Sequence, residues 1–301
     1  MRFASIGECM VEMAPAAKAD EFKLGFAGDT FNTAWYVKAL APAWQSRFVS
    51  RVGQDTVSDQ MLAMMAQAGI DTDHVLRSPD RSVGLYMIFL NGGERSFSYW
   101  RDRSAARLLA QDHNLLAAAI EDADTVYFTG ITLAILDGAG RKTLLDVMQA
   151  VRAAGKTVIF DSNLRPRLWG SAPEMTDTIM QAAAVSDIVL PSFDDEAVHF
   201  GDANPAATRD RYRDAGATTV VVKNGAGEIH YLRDGEVGSV VPAAALQVVD
   251  TTSAGDSFNA GLLVGLHRSE NTERAIHFAS DIARHVIGHK GALVPLPETV
   301  A

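Results

Sequence analysis

The turn around which this chain is organised reads Asp250-Thr251-Thr252-Ser253-Ala254-Gly255-Asp256-Ser257-Phe258-Asn259-Ala260-Gly261. The apolar run Leu246–Val249 before it predicts a short strand, and an apolar helical pattern continues from Phe258. A small-residue turn that opens a helix presents unpaired backbone N–H groups and the positive end of the helix dipole, which together bind anions such as phosphate. Gly255 lets the backbone approach such a group because it has no Cβ. The pattern predicts a phosphate site at the start of this helix.

Asp256 places a carboxylate inside the predicted anion site. A carboxylate repels phosphate, so it needs another role, and the role that fits is to take a proton from a hydroxyl that attacks phosphorus. An acidic residue is also favourable in the first turn of any helix, because it interacts well with the dipole. The spacing alone leaves these two interpretations open.

The composition is that of an ordinary globular protein and argues against several classes. Hydrophobic residues make up 48% of the 301 residues, and the net charge is -10, whereas a nucleic-acid-binding protein carries a basic face. A single cysteine, Cys9, excludes an internal disulfide framework and fits a reducing compartment. No apolar run reaches the ~18 residues of a membrane span, and Glu8 and Glu12 interrupt the N-terminal segment. We therefore expect a soluble, cytoplasmic protein without a signal peptide.

A regular alternation of amphipathic helices and apolar strands follows Asn114. Continuous runs of β-branched residues between such helices are typical of parallel strands buried on both faces. Ligands of such a sheet bind at the carboxyl ends of the strands. We expect those ends to meet in one site, and they carry Gly130-Ile131, Asp161-Ser162-Asn163-Leu164-Arg165, Pro191-Ser192 and Lys223-Asn224-Gly225-Ala226-Gly227.

Two predicted hairpins, at about residues 11–26 and 83–101, stand outside this alternation. The second has a strong turn signal at Asn91-Gly92-Gly93-Glu94. Together they predict a small β-sheet that covers the main body as a lid, within one domain over residues 1–301. The neighbours Tyr99, Trp100 and Arg101 favour contact with a ligand or partner, although a lid strand with one face on the core would explain the aromatic residues.

Gly28, Asp29 and Asn32 lie just before a predicted helix over about residues 33–40. Hydrogen-bonding side chains and glycines at a helix start suit the mouth of a ligand pocket. The alternative is a plain capped helix with Asp29 or Thr30 as the N-cap residue.

The turn also carries a family resemblance, because Asp250–Phe258 resembles the C-terminal signature of the ribokinase-like (PfkB) sugar kinases. The resemblance covers essentially the whole chain and includes Gly28–Thr33, Tyr99–Arg101 and Asn163–Trp169. It implies a ribokinase-like α/β three-layer sandwich with a mostly parallel central sheet and a small β-sheet lid. It implies that Asp256 is the catalytic base. The anion hole would comprise Ser253, Ala254, Gly255 and Asp256, although the family usually has glycine where Ser253 stands.

The resemblance also implies which residues bind ligands. The sugar-binding candidates are Gly28, Asp29, Asn32, Tyr86, Tyr99, Arg101, Arg165 and Asp256, and the strand-end residue Ile131 is a further candidate. With the strand-end residue Asn163, the nucleotide-binding candidates are Arg165, Lys223, Asn224, Gly225, Gly227 and residues 253–256. The family's acidic segment for magnesium and phosphate has its nearest equivalent at Ser192–Glu196, which makes Asp195 and Glu196 the candidate metal ligands.

These features predict a kinase that uses ATP and Mg²⁺ to phosphorylate a primary hydroxyl of a sugar acid, and the closest resemblance is to kinases of a 2-keto-3-deoxy acid. Two arginines suit a carboxylate, which accepts a bidentate guanidinium. Arg165 also suits the ATP phosphates, so Arg101 is the better carboxylate candidate. The alternatives are a kinase of a neutral sugar such as fructose or ribose, and a non-catalytic sugar-binding protein on the same fold. A homo-oligomer through the lid is a further expectation.

Overall fold

The computed structural model describes residues 1–16, 18, 20–91, 94–269 and 271–297. The strands in chain order are β1 (Arg2–Ile6), β2 (Met10–Pro15), β3 (Phe22–Ala27), β4 (Gln45–Val52), β5 (Ile70–Asp71), β6 (Val75–Arg77), β7 (Leu85–Asn91), β8 (Glu94–Trp100), β9 (Thr125–Thr129), β10 (Thr157–Asp161), β11 (Ile188–Val189), β12 (Thr219–Val222), β13 (Ile229–Arg233) and β14 (Glu236–Val240). The α-helices are α1 (Asp29–Leu40), α2 (Thr56–Gln67), α3 (His113–Ala119), α4 (Gly130–Ile135), α5 (Gly138–Ala153), α6 (Ala172–Ala184), α7 (Phe193–Phe200), α8 (Pro205–Asp214), α9 (Ala254–Arg268) and α10 (Thr272–Ile287).

The large sheet has the strand order β14-β13-β12-β11-β10-β9-β1-β4-β5, with β6 beside β4. Its strands from β12 to β5 run parallel, and β13 and β14 add an antiparallel hairpin at one edge. Alternate residues of a strand point to opposite faces. Val126 and Phe128 of β9 therefore join the core with α3 to α6, whereas Tyr127 joins the core with α1, α2, α9 and α10. Helices cover both faces, so the predicted three-layer α/β sandwich is confirmed.

The small sheet has the strand order β3-β2-β7-β8 and confirms both predicted hairpins. The turn residues Gly92 and Gly93 lie outside the described residues. In the register of β7 and β8, Tyr86 lies opposite Tyr99, and Leu85 lies opposite Trp100. Tyr99 and Trp100 therefore project from opposite faces of the sheet, and their contact with a ligand or partner stays a prediction.

The strand predicted at Leu246–Val249 is absent from the described structure. The N–H groups of Val249 and Asp250 donate to the carbonyl oxygen of Ile287 at the end of α10, instead of to a strand. Leu246 is 98% exposed. The prediction was wrong because this apolar run does not enter the sheet: Leu246 faces solvent and Val248 lines a cavity.

Gly130-Ile131, which the sequence placed at the end of a strand, lies in a helix instead, because β9 ends at Thr129. Thr129 caps α4 through a capping box with Thr132, so the chain becomes helical at Gly130. A Cβ at Gly130 would lie 2.0 Å from the carbonyl oxygen of Ser162, so the close approach of these two strand ends requires glycine. None of the helices in the described ranges is long and apolar enough to cross a membrane.

Candidate active site

The start of α9 presents an anion-binding arrangement at the carboxyl edge of the large sheet. Ser253 precedes the helix with φ 63° and ψ 13°, and the helix begins at Ala254. The N–H groups of Gly255 and Asp256 lie in the first turn, where the helix itself offers no acceptor. A Cβ at Gly255 would meet the amine of Lys223 at 3.8 Å. The turn thus combines backbone donors, a helix dipole and a nearby cation.

Asp256 is half-buried and held by two donors. Its Oδ2 accepts hydrogen bonds from Nδ2 of Asn32 at 2.8 Å and from Oγ of Ser253 at 3.1 Å. Burial, together with the negative charges of Asp29 and Asp161, raises the pKa of Asp256 to about 7, although the hydrogen bonds from Asn32 and Ser253 partly oppose the shift. A carboxyl group with that pKa exchanges protons readily at neutral pH, which is the property required of a general base.

Asp29 does not cap α1, because the N-cap position is occupied by Gly28, which makes no side-chain cap. The alternative of Asp29 or Thr30 as the N-cap residue is therefore wrong. The carboxylate of Asp29 instead accepts hydrogen bonds from Thr129 and Asn163, both at 2.7 Å. Burial raises the pKa of Asp29, although these hydrogen bonds oppose the shift. Asp29 therefore ties the start of α1 to the ends of β9 and β10.

Gly28 also makes a close contact that a larger residue could not make. A Cβ at this position would lie 2.1 Å from the carbonyl oxygen of Glu8. The Gly28 N–H donates to Oδ1 of Asn32 at 3.3 Å, which leaves the Asn32 amide nitrogen directed at Asp256. Gly28, Asp29, Asn32 and Asp256, all named from the sequence, thus lie together at one end of α1.

A buried polar network lies next to the carboxylates. Nζ of Lys223 contacts Asp161 at 3.0 Å and Oδ1 of Asn259 at 3.1 Å. Nδ2 of Asn259 donates to Asp161 at 2.7 Å and to the hydroxyl of Tyr127 at 3.1 Å. Asn259 lies three residues after Asp256, so both side chains project from neighbouring positions on α9. The network fixes α9 against the ends of β10 and β12.

A cavity of about 450 Å³ adjoins the anion turn. Its walls include Asp194, Lys223–Ala226, Pro242–Ala245, Val248, Thr251, Ala254-Gly255, Phe258 and Arg284. The predicted nucleotide residues Lys223, Asn224 and Gly225 therefore line it. Gly227 supports the same turn by donating its N–H to the carbonyl oxygen of Asn224 at 2.7 Å. A mostly apolar cavity that ends at backbone donors suits a planar base with phosphates attached.

The candidate ligand-binding residues of the lid differ in their exposure to solvent and in the partners that they already have. Tyr86 is buried and donates to Glu12, whereas Tyr99 is 53% exposed and lies 5.9 Å from the Tyr86 ring. Arg101 is buried and forms an ion pair with Glu8, which follows β1. The sequence did not identify Glu8, because nothing in the local pattern indicates a partner 93 residues away.

Arg165 and Ile131 occupy different surroundings. Arg165 is about half exposed and lies 3.7 Å from Asp195 in a loose ion pair. Ile131 is the second residue of α4 and packs against the core that contains Phe128. Its part in sugar binding stays a prediction.

The acidic segment of α7 contains carboxylates of two kinds. Glu196 is fully buried, and its oxygens contact Ser162 at 2.6 Å, Arg211 at 2.7 Å and Tyr212 at 3.0 Å. Asp195 is less enclosed, and burial raises its pKa while the charge of Arg165 opposes the shift. Within the described residues no three His, Cys, Asp or Glu side chains converge as a ready metal site. Mg²⁺ bound to nucleotide phosphates needs only one or two carboxylates, so Asp195 fits such an ion better than Glu196 does.

Comparison with known proteins identifies the family. The model of the pfkB family carbohydrate kinases matches residues 2–299. The chain belongs to this family. A 2-dehydro-3-deoxygluconokinase of Haemophilus influenzae is 39% identical over 302 residues, which cover 97% of this chain and 95% of that protein.

Two solved structures extend the comparison. A PfkB protein from Polaromonas sp. JS666 matches with a TM-score of 0.86 and 27% identity, and covers 98% of this chain and 97% of its own. A fructokinase from Xylella fastidiosa with bound ATP matches with a TM-score of 0.84 and 25% identity, and covers 98% of this chain and 95% of its own.

In this PfkB-family chain, sequence reasoning left three polar residues of the site without a role. Thr129 and Asp161 end strands and were detectable as strand-end positions. Asn259 was quoted within the signature, and its spacing from Asp256 places it one helical turn further along α9. Their contacts join α1, α9 and the ends of β9 and β10 around Asp256.

Proposed function

We propose that this kinase transfers the γ-phosphoryl group of ATP to the primary hydroxyl of 2-dehydro-3-deoxygluconate, also called 2-keto-3-deoxygluconate. The observation that carries the chemistry is the position of Asp256, whose carboxylate is oriented by Asn32 in the first turn of an anion-binding helix. The observation that favours this sugar acid is the 39% identity to the Haemophilus influenzae enzyme over 97% of the chain. A cytoplasmic location, where ATP is formed, belongs to the same proposal.

ATP fits the cavity beside α9. The base would lie between the Asn224–Ala226 turn and the irregular segment that contributes Pro242–Ala245 and Val248 to the cavity. The phosphates would reach the N–H groups of Gly255 and Asp256, near the amine of Lys223. The Xylella fastidiosa fructokinase, which contains ATP, supports this choice of nucleotide.

The phosphoryl transfer then follows from the side chains at the turn. Asp256 accepts the proton of the primary hydroxyl as the hydroxyl oxygen of the sugar forms a bond to the γ-phosphorus. The bond between the γ-phosphorus and the bridging oxygen of the β-phosphate breaks, and ADP leaves. The N–H groups at the start of α9 stabilise the charge that develops on the transferred group. Asn32 holds the carboxylate in place, and Asp29 would bind other hydroxyls of the sugar. Mg²⁺, held by the phosphates with Asp195, would neutralise part of the phosphate charge.

The carboxylate of the sugar acid has two candidate partners. Arg101 follows directly after β8, whose residue Tyr99 lies opposite Tyr86. Its charge is already compensated by Glu8, whereas Arg165 is half exposed and only loosely paired. We propose that both arginines contribute, with Arg165 supplying the more accessible charge.

A kinase of a neutral sugar is the second candidate. The compensated charge of Arg101 and the similarity to a fructokinase favour it. The two are separated by measuring ADP release with 2-dehydro-3-deoxygluconate, its galactonate-derived epimer, fructose and ribose. Because a charged hydrogen bond contributes roughly 1.5–3 kcal/mol, we expect kcat/KM for a sugar acid to exceed that for either neutral sugar at least about tenfold. A preference for fructose or ribose would contradict the proposal, and no ADP release with any compound would indicate a sugar-binding protein.

The small sheet also suggests self-association. Leu24, Phe89 and Trp100 lie on the face opposite Tyr86 and Tyr99, and each is between 40% and 56% exposed. An apolar sheet face of this kind usually lies against a partner. We propose that a second copy of the chain covers it.

A further inference from the structure

Ser253 occupies a backbone conformation that favours glycine. Its φ of 63° and ψ of 13° lie in the left-handed region, which is unfavourable for residues with a Cβ. Glycine would adopt this conformation without strain. A serine at this position therefore needs a compensating contribution from its side chain.

The hydroxyl of Ser253 makes a contact that glycine could not make. Its Oγ donates to Oδ2 of Asp256 at 3.1 Å, and Nδ2 of Asn32 donates to the same oxygen at 2.8 Å. Two donors from different elements, the turn before α9 and helix α1, thus converge on one carboxylate oxygen. Among the described contacts, side-chain hydrogen bonds to Asp256 go to Oδ2, so Oδ1 is the oxygen left to accept a proton.

We propose that the Ser253 hydroxyl is a positioning group for Asp256, fixing Oδ2 together with Asn32 and keeping the carboxylate ionised so that Oδ1 can act as the base. The role of Asp256 as a base rests on the proposed function, whereas the effect of the Ser253 hydroxyl on the Asp256 carboxylate does not depend on it.

The surroundings of Asp256 make such a donor necessary. Asp29 from α1 and Asp161 from β10 are negatively charged neighbours, and both disfavour ionisation of Asp256. Tyr36 of α1 and Tyr127 of β9 face the same carboxylate as neutral phenols, since burial raises the pKa of each. Lys223 is the nearby cation, but its amine is engaged with Asp161 and Asn259. Hydrogen bonds to the charged form therefore have to supply much of the stabilisation of the Asp256 carboxylate.

The test uses the full chain and three variants. Ser253→Ala removes the hydroxyl and keeps the Cβ in the left-handed region, Ser253→Gly removes both the hydroxyl and the strain, and Ser253→Thr keeps a hydroxyl. The pKa of Asp256 is read from the carboxyl carbon resonances of ¹³C-aspartate-labelled protein during a pH titration, with Asp256→Asn used to assign the signal. This readout needs no substrate, so a failure of the proposed function would not affect it.

We expect the pKa of Asp256 to rise by about one unit in both Ser253→Ala and Ser253→Gly, as the loss of a hydrogen bond to a charged group implies. Ser253→Thr should remain near the wild type. The acid limb of kcat/KM should move to higher pH by the same amount in the first two variants. An unchanged pKa in Ser253→Gly would overturn the proposal, because any effect of Ser253→Ala would then come from the backbone instead of the hydroxyl.

Discussion

Three carboxylates, Asp29, Asp161 and Asp256, lie close together at the carboxyl edge of the large sheet, and the charges of Asp29 and Asp161 contribute to the raised pKa of Asp256. Asp161 is paired with Lys223 and Asn259, and Asp29 accepts hydrogen bonds from Thr129 and Asn163. Asp256 accepts hydrogen bonds from Asn32 and Ser253, and its pKa is raised to about 7. The carboxyl group that would have to gain and lose a proton thus has a pKa near neutrality.

This pKa shift makes a prediction about stability and pH. A carboxyl group whose pKa is higher in the folded than in the unfolded protein favours folding at low pH, and that contribution is lost as the pH rises from about 4 through about 7. Asp256→Asn is neutral at every pH. We therefore expect it to be more stable than the wild type at pH 8 by roughly 1–3 kcal/mol. The full pKa shift would correspond to ~4 kcal/mol, and the expected difference is smaller because solvent reaches the half-buried side chain.

Denaturant unfolding of both proteins at pH 4 and pH 8 measures this difference. The advantage of the variant should largely disappear at pH 4. An equal difference at both pH values would show that Asp256 titrates normally.

Replacing Arg101 and replacing Arg165 should have different effects on the stability of the protein. Arg101→Ala leaves the carboxylate of Glu8 buried without its partner, which typically costs about 3–5 kcal/mol, and should also raise KM for the sugar acid by roughly ten- to a hundredfold. Arg165→Ala should raise the same KM with little change in Tm, because Arg165 is half exposed. Kinetics and thermal melting of both variants measure these effects.

A matched double variant separates the two roles of Arg101. Glu8→Gln combined with Arg101→Gln removes both charges, so it should recover stability without restoring the KM. If Arg101→Ala leaves the KM for the sugar acid unchanged, Arg101 has only a structural role and the carboxylate is bound elsewhere.

At the level of secondary-structure elements, the position of Asp256 depends on how closely α9 packs against α10. Gly261 and Gly265 lie one turn apart on α9, and a Cβ on them would lie 2.8 Å from Cα of Ala279 and 3.0 Å from Cα of Ala275, respectively. Both obstacles are backbone atoms of α10, so they cannot move without shifting the helix. The glycines allow a contact that larger residues would prevent.

Gly261→Val should therefore destabilise the fold by roughly 1–3 kcal/mol, as expected for overpacking. Gly138→Ala is the control, because a Cβ at Gly138, the first residue of α5, meets no described atom within 4 Å. The control should be neutral or slightly stabilising, since alanine is the better helix former. Urea unfolding of both variants measures the effect, and equal stability of the two would contradict the packing argument.

The sequence predicted the elements whose patterns are local and regular. The β-branched runs of β9, β10 and β12, the two hairpins and the helix start at Gly255-Asp256 were recognised from a few neighbouring residues. The strand predicted at Leu246–Val249 was wrong because an apolar run outside the sheet, with Leu246 exposed and Val248 beside a cavity, has the same local pattern as a buried strand. The ion pair of Glu8 with Arg101 was missed because it joins the end of β1 to the end of β8, and a pairing over that distance leaves no local pattern.

At the scale of the whole molecule, the small sheet has two unlike faces, and the face that carries Tyr86 joins a buried cluster with Ala292. Tyr86 and Tyr99 share the first face, and Leu24, Phe89 and Trp100 share the second. We propose that one face of the small sheet contacts the substrate and that the other mediates self-association. Alternation along β8 makes both possible in adjacent residues.

We expect light scattering to find the wild-type chain as a dimer and Trp100→Glu as a monomer, because a charge in an apolar interface is unfavourable. The control is Val198→Glu, since Val198 is 74% exposed on α7 and is not part of the small sheet. That variant should remain dimeric. A monomeric wild type, or an unchanged Trp100→Glu, would contradict self-association through this face.

The assignment of Asp256 as the base is tested most directly by the turnover of Asp256→Asn with ATP and 2-dehydro-3-deoxygluconate. The change removes the proton acceptor and adds almost no volume, while the N–H groups of the turn and the cavity beside them remain. The structure predicts a fall in kcat of at least ~10²-fold with ATP binding retained. A kcat within a few-fold of the wild type would show that another group accepts the proton and that Asp256 is an ordinary residue of the first turn of α9.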